Sequence, residues 1–232
     1  MRSDKQLVKL VEDGWLQQGE KLQRYGGGNR EQLHFGANIG GRHQAPYRPS
    51  RPVSHNFDVD FGDVLYPTAV VQQGRFHGDE WVHDPTIRGW VHADSPGRAA
   101  VECADLLVTA GPEAWFIGTD RRIAVVVDAA VVGKSGHESN PEEGKDSQGS
   151  GKGFGRLLGK ARSAVNAVAE LSESLIGGAE LVTLWECQRE QLAEMTGSLK
   201  GRSTDGSGFS VNRFSDGSII EVSTKVHVKG FM

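Results

Sequence analysis

Residues 115–127 read Trp-Phe-Ile-Gly-Thr-Asp-Arg-Arg-Ile-Ala-Val-Val-Val, and this stretch decides the fold. Two apolar arms rich in β-branched and aromatic residues, which favour strands, flank the polar centre Thr119-Asp120-Arg121-Arg122. A tight turn at that centre would bring the arms side by side, so the pattern predicts a β-hairpin. Farther along, residues 209–214 and 219–223 alternate on either side of Asp216-Gly217, and an Asp-Gly pair between alternating arms predicts a second hairpin.

In their order along the chain, these motifs resemble the bacterial pleckstrin-homology-like (PH-like) domains of the actinobacterial type. The run WFIGTDRRIAVVV resembles a hairpin of that family, LWECQREQLAEM (184–195) resembles its next strand, and FSVNRFSDGSIIEVS (209–223) resembles its closing hairpin. The resemblance implies a bent, seven-stranded barrel with a helix over one mouth. It also implies a binding or scaffolding module, because the family shares no catalytic residue and the fold alone does not select a ligand.

The remaining sequence predicts helices next to this sheet. Leu7, Val11 and Trp15 recur at helical spacing near the N-terminus, with Ser3 or Asp4 as the cap. A helix is predicted over about 96–110, begun by Asp94-Ser95-Pro96. We therefore expect an α+β fold: a bent antiparallel sheet or PH-like partial β-barrel with one or two packed helices, preceded by an N-terminal helix and an extended arm.

Composition suggests two parts of the chain. Residues 1–63 are expected to form the N-terminal helix and a Pro/Arg-rich arm, because Pro46, Pro49 and Pro52 favour extended backbone. Residues 64–232 are expected to form the PH-like α+β domain, with a flexible loop and an amphipathic helix (154–176) inserted at about 133–178. An arm of this kind orders only when it packs on something, which favours self-association or a protein partner.

Charge and cysteine content exclude several classes of protein. The 232 residues carry 26 Lys+Arg against 30 Asp+Glu, a net charge of −4, which offers no general attraction for nucleic acid. We find no apolar run long enough for a spanning helix and no apolar region typical of a secretory signal. Cys103 and Cys187 are too few for a disulfide scaffold, so buried reduced thiols and a cytoplasmic location are predicted.

Candidate partner-binding residues lie at three places. Arg121 and Arg122 at the first hairpin tip could receive a phosphate or carboxylate, although such a pair is more often solvated or bound to Asp120. Trp15 is the tryptophan expected at a contact. Arg156 and Lys160 lie on helix 154–176, which could rest on an anionic membrane but is favoured to pack against the sheet.

One alternative is a metal-dependent hydrolase in the His/Asp-rich segment 34–92. Its ligands would come from the run His77-Gly78-Asp79-Glu80-Trp81-Val82-His83-Asp84, with His77, Asp79, His83 and Asp84 as candidates. No H-E-x-x-H or comparably tight ligand spacing occurs there, so solvated or hydrogen-bonded histidines are the favoured interpretation. The leading prediction is a non-enzymatic cytoplasmic module that binds a protein or an anionic ligand and needs no cofactor.

Overall fold

The computed structural model of the chain describes residues 3–27, 33–49, 86–132, 180–198 and 208–227. All of the described residues belong to one compact unit. The loop and helix predicted at about 133–178 lie outside the described residues.

Two helices and ten strands occur in the described part of the chain. Helix α1 is Asp4–Leu10, which continues as a π-helix over Val11–Trp15, and helix α2 is Ala99–Thr109. The strands are β1 Leu22–Gly27, β2 His34–Ile39, β3 Arg42–Gln44, β4 Ile87–Ala93, β5 Trp115–Thr119, β6 Arg122–Asp128, β7 Leu181–Gln188, β8 Leu192–Ser198, β9 Gly208–Phe214 and β10 Ile219–Val226. Both predicted hairpins are confirmed, as β5–β6 and β9–β10.

The strands form one large, bent and unclosed sheet in which β10 is the central branch point. On one side β10 pairs with β9, which pairs with β8. On its other side, Ile219–Val222 pairs with β4, whereas Lys225 and Val226 pair with β1. The sheet therefore forks into a branch β1-β5-β6-β7 and a branch β4-β2-β3. The expected mixed α+β fold around a bent sheet is confirmed.

The predicted extended arm is wrong over β2 and β3, which are strands of the sheet. Strand β2 also pairs in parallel with β4, so the sheet is not wholly antiparallel. The physical reason is that Phe35, Ala37 and Ile39 alternate along β2 and are buried in the main core. This burial outweighs the preference of the neighbouring arginines and prolines for an extended arm.

Each helix covers one face of the sheet. Helix α2 packs on what we call the inner face, in a core with Phe116, Val125 and Ile220. Helix α1 packs on the outer face of the β1-β5-β6-β7 branch, where Leu7 and Val11 are fully buried. Because both faces of β5 and β6 are covered, almost every residue of these strands is buried, and burial does not alternate along them. The helix predicted over about 96–110 is thus confirmed as a cover of the sheet.

The predicted cap of α2 is wrong. Asp94 pairs with Arg98 and caps nothing, and the helix begins at Ala99. Its first N–H groups are bound by the distant β9–β10 turn: Ala99 N–H donates to Asp216 Oδ2 at 2.9 Å, and Ala100 N–H donates to Ser218 Oγ at 3.1 Å. The turn therefore closes the helix end from another part of the chain, which sequence spacing alone does not reveal.

Substituting the capping carboxylate is expected to loosen this end of α2. Asp216→Ala removes the acceptor of the Ala99 N–H and of two bonds from Ser218, so we expect the free energy of unfolding to fall by about 1–2 kcal/mol. Urea unfolding of the variant measures the loss. Asp120→Ala, in the other hairpin turn, is the comparison, because it removes a bond from the Lys21 N–H to Asp120 Oδ1 and no helix cap.

Candidate binding site on the inner face

The arginine pair at the β5–β6 tip is divided by the fold. Arg121 is exposed, whereas Arg122 is buried and its guanidinium is held by carboxylates. Its Nε donates to Glu20 Oε1 at 3.0 Å, its Nη2 to Glu20 Oε2 at 3.2 Å, and its Nη1 to Glu186 Oε2 at 2.7 Å. Arg122 is already paired with two carboxylates, so its guanidinium is not free for another anion, and a role for the exposed Arg121 stays a prediction.

Trp15 completes what we call the hairpin-tip cluster, together with Arg122, Glu20 and Glu186. Its ring lies over the Arg122 guanidinium, 4.0 Å from the Cζ atom to the ring centroid, and its Nε1 donates to Thr183 Oγ1 at 2.9 Å. Trp15 is half-buried by these contacts within the chain. The cluster ties the segment after α1 to β6 and β7.

A different arginine lies on the inner face, where sequence analysis placed no site residue. Arg24 on β1 pairs with Gly118 on β5, and a Cβ added to Gly118 would meet the Arg24 Cβ at 3.8 Å and the core residue Ile123 at 3.9 Å. The Arg24 side chain therefore points to the same side as the core. Its Nη1 donates to Thr196 O at 2.6 Å and contacts Ser210 Oγ at 3.4 Å.

This contact shows how strongly the sheet curls. In the strand order β1-β10-β9-β8, β1 and β8 are three steps apart, or roughly 14 Å along a flat sheet. The side chain of Arg24 on β1 nevertheless reaches the carbonyl of Thr196 on β8. The sheet must fold over on its inner face for a single arginine to bridge these two strands.

Neutral polar groups lie under the guanidinium. Ser210 and Asn212 are fully buried on β9; Ser210 Oγ donates to Asn212 Oδ1 at 3.2 Å, and Asn212 Nδ2 donates to Ile220 O at 3.4 Å. Gly197 on β8 lies beside the Arg24 guanidinium, because an added Cβ would meet its Nη atoms at 3.6 Å, an ordinary contact distance. We call Arg24, Ser210 and Asn212 the inner polar site.

Arg24 has no carboxylate partner among the described residues. Its hydrogen bonds to the described residues use only Nη1, and a guanidinium has five N–H donors in a planar fork suited to carboxylate and phosphate. Arg24 as a residue is half-buried, so an added anion would be less screened there than at a fully open surface. The inner polar site therefore combines a cation, neutral hydrogen-bonding groups and a small residue beside the guanidinium.

A second arginine without a carboxylate partner in the described part fills the fork of the sheet. Arg88 on β4 is 2% exposed, and its Nη2 donates to Gly26 O at 2.9 Å and to Ala114 O at 3.0 Å. Burial lowers the pKa of Arg88 to about 10, so it stays charged at neutral pH. Gly27 has φ +145° here, and a Cβ would lie 2.8 Å from Arg88 Nη2. Arg88 joins strand ends where the two branches separate.

The other predicted site residues share one outcome. All of them lie outside the described residues, namely Arg156, Lys160, His77, Asp79, His83 and Asp84. Of the described histidines, His43 Nδ1 lies 3.1 Å from Asn38 Oδ1, and Asn38 Nδ2 lies 3.4 Å from His92 Nδ1. Within the ranges that the structure describes, no three His, Cys, Asp or Glu side chains converge to hold a metal ion.

The cysteines are as predicted. Cys103 and Cys187 are both buried and free. Burial raises the pKa of each thiol, to about 11 for Cys187, so both stay protonated at neutral pH and are poor nucleophiles.

In the described segments, no helix combines the length and apolar character needed to cross a bilayer.

Comparisons with protein-family models, with curated proteins and with solved structures give no match to this chain. The site must therefore be interpreted from its own chemistry.

Proposed function

We propose that this protein is a non-enzymatic, cytoplasmic binding module of PH-like type that holds an anionic group at the inner polar site. The observation that carries the proposal is that Arg24, a half-buried residue, has no carboxylate partner for its guanidinium among the described residues. Arg122 provides the contrast within the same chain, since its charge is neutralised by Glu20 and Glu186. A bound carboxylate or phosphate would neutralise the charge of Arg24 as Glu20 and Glu186 neutralise that of Arg122.

The surroundings of Arg24 support a ligand of this kind. A charge removed from water is costly unless it is paired, and the Ser210 hydroxyl and the Thr196 carbonyl compensate only part of that cost. Both contacts hold the guanidinium in one place, so an arriving anion would not have to order a freely rotating side chain. The PH-like resemblance of the hairpins agrees with a binding role.

Titration with inorganic phosphate and with citrate, followed by calorimetry, tests the proposal. Arg24→Met removes the guanidinium and keeps much of the apolar stem, so we expect the dissociation constant to rise by about tenfold or more, equivalent to about 1.4 kcal/mol. Arg213→Met is the matched control, because Arg213 is 48% exposed on β9 and lies 3.7 Å from Glu194. We expect this control to bind as the wild type does.

Two results would contradict the proposal: wild-type protein that binds neither anion, or equal weakening by Arg24→Met and Arg213→Met. Arg24→Lys separates charge from geometry. If the planar fork of the guanidinium matters, the lysine variant binds more weakly than the wild type but more tightly than the methionine variant. Unfolding curves of all three variants verify that the native state is retained.

A further inference from the structure

A row of three polar side chains crosses the β4-β2-β3 branch of the sheet, on the face opposite the main core. His43 on β3 and His92 on β4 are each directly opposite Asn38 on β2, so the three side chains project from the same face. His43 is exposed, whereas Asn38 and His92 are half-buried. We call these three residues the β3 ladder.

The side-chain amide of Asn38 joins the two imidazole rings. Its Oδ1 lies 3.1 Å from Nδ1 of His43, and its Nδ2 lies 3.4 Å from Nδ1 of His92. An amide accepts hydrogen bonds at its oxygen and donates them at its nitrogen. The Nδ1 atom of His43 therefore donates a hydrogen to the amide oxygen, and the Nδ1 atom of His92 accepts a hydrogen from the amide nitrogen.

This arrangement suits one protonated imidazole but not two. A protonated His43 still donates from Nδ1 to Asn38, and a protonated His92 can do the same once the amide turns over. A protonated imidazole has two N–H donors and no acceptor. When both rings are protonated, one of them directs an N–H at the amide nitrogen and its hydrogen bond is lost, and the two positive charges also repel each other.

Charged and titratable groups on the neighbouring described strands do not remove this restriction. They are His34 on β2, Arg42 on β3, Arg88 on β4, Asp94 after β4, Arg213 on β9 and Glu221 on β10. Asp94 is already paired with Arg98. Glu221 is buried and is opposite Trp90, which lies two residues before His92 on the same face. One carboxylate at this place favours a first added proton more than a second.

Strand β3 is the part of the sheet most exposed to a loss of this kind. It has three residues, all exposed, and among the described strands it pairs with β2 alone. A short strand at the end of a sheet opens locally at little cost in free energy. A lost bond in the β3 ladder therefore acts first on the pairing of β3 with β2.

We infer that the β3 ladder is an acid-sensitive switch, in which strand β3 loosens from β2 when both histidines of the ladder are protonated. An imidazole in an unfolded chain titrates near pH 6.5, so the transition falls between about pH 5 and about pH 6.5. The folded chain binds the second proton more weakly than the unfolded chain, so β3 is held less firmly as the pH falls through this range. The switch lies on the face opposite the inner polar site and does not involve Arg24.

Hydrogen exchange of the full chain, read at the β3 amides and corrected for the intrinsic exchange rate, tests the inference. We expect protection of Arg42–Gln44 to be at least about tenfold lower at about pH 5 than at about pH 7.5. In Asn38→Asp the carboxylate accepts from both protonated rings, so β3 should stay protected in acid. Gln44→Glu adds the same charge to an exposed position of β3 and should keep the wild-type response.

Two further variants separate a coupled pair from a single titrating histidine. His43→Gln and His92→Gln each leave one ring, towards which Asn38 can turn its amide oxygen, so each should abolish the loss of protection in acid. A histidine acting alone would be affected by only one of them. Unfolding curves at neutral pH verify that each variant retains the native state.

NMR titration of the histidine rings in the wild type is a test that needs no variant. Protonation of the β3 ladder should occur in two steps, with the second proton bound at least about tenfold more weakly than the first. A single shared step, unchanged β3 protection between the two pH values, an equal loss in wild type and Asn38→Asp, or a full loss in either glutamine variant would each overturn the inference.

Discussion

Arg122→Met is expected to lower the free energy of unfolding by about 3–5 kcal/mol, the largest loss for any single substitution considered. The reason is the carboxylate left behind. The side chain of Glu20 is 0% exposed, and Arg122 donates to both of its oxygens. Without the guanidinium, Glu20 is a buried charge held only by Thr119 Oγ1 and the Gln17 N–H.

Urea unfolding at neutral pH measures this loss, with Arg121→Met as the neighbouring control. Arg121 is exposed, so its replacement should change stability by less than about 0.5 kcal/mol. The double variant Glu20→Gln/Arg122→Met should be more stable than Arg122→Met alone, because it removes the uncompensated charge. Equal stability of Arg121→Met and Arg122→Met would contradict the account of the hairpin-tip cluster.

Acidification gives an independent check of the same cluster. Burial raises the pKa of Glu20, but hydrogen bonds from Arg122 and Thr119 outweigh it, and the pKa lies below its ordinary value. A carboxyl whose pKa is lowered by folding stabilises the fold at pH values above its ordinary pKa of about 4. This stabilisation is lost as the pH falls through the pKa of the folded state. The difference between wild type and Arg122→Met should therefore shrink below about pH 4.

Gly36→Ala is expected to destabilise the fold by about 1–3 kcal/mol or more, because the new methyl group has no space. Gly36 on β2 pairs with Trp90 on β4, and the indole ring lies directly over the glycine. A Cβ at Gly36 would come within 1.8 Å of Trp90 Cζ3. Trp90 is fully buried and has no free space to move into, so the backbone of β2 must shift.

Thermal and urea unfolding of Gly36→Ala measure this effect against Gly118→Ala. Gly118 is also a strand glycine, but its nearest neighbour would be 3.8 Å from an added Cβ, an ordinary contact. Gly118→Ala should therefore leave stability nearly unchanged. In the double variant Gly36→Ala/Trp90→Leu, the losses should be less than additive, since the smaller side chain relieves the collision. Additive losses would show that the clash is not their cause.

The two hairpins were predictable because local patterns decide them. The apolar arms of residues 115–127 and the Asp216-Gly217 turn each specify a strand pair without distant contacts. The helix over Ala99–Thr109 was also predictable in its position, but its cap was not. Asp94 and Ser95 have side chains suited to capping, yet in the folded chain Asp216 and Ser218 accept the hydrogen bonds of the helix end.

Local pattern failed where short elements depend on partners far along the chain. The pairing of β2 with β4 is encoded in Phe35-Gly36 and Gly89-Trp90, because each aromatic ring covers the glycine of the opposite strand. That complementarity becomes visible only once β2 and β4 are paired. The arm was predicted from the prolines and arginines that follow, which do not report the pairing of β2.

The candidate binding residues show the same difference between what a local pattern reveals and what distant contacts decide. Arg121 and Arg122 were chosen because they stand at a recognisable turn, and the burial of Arg122 by Glu20 could not be inferred from a carboxylate about a hundred positions away. Arg24 carries no local motif at all. Its place depends on the curl that brings β8 towards β1.

By itself the sequence determined the hairpins, the helices next to them and the buried reduced cysteines, since these follow from residue preferences and spacing within short windows. The tertiary structure alone decided which arginine is neutralised, which arginines have no carboxylate partner among the described residues, and which distant strands pair. The physical reason is that charge compensation and edge pairing depend on groups that meet only when distant strands curl together.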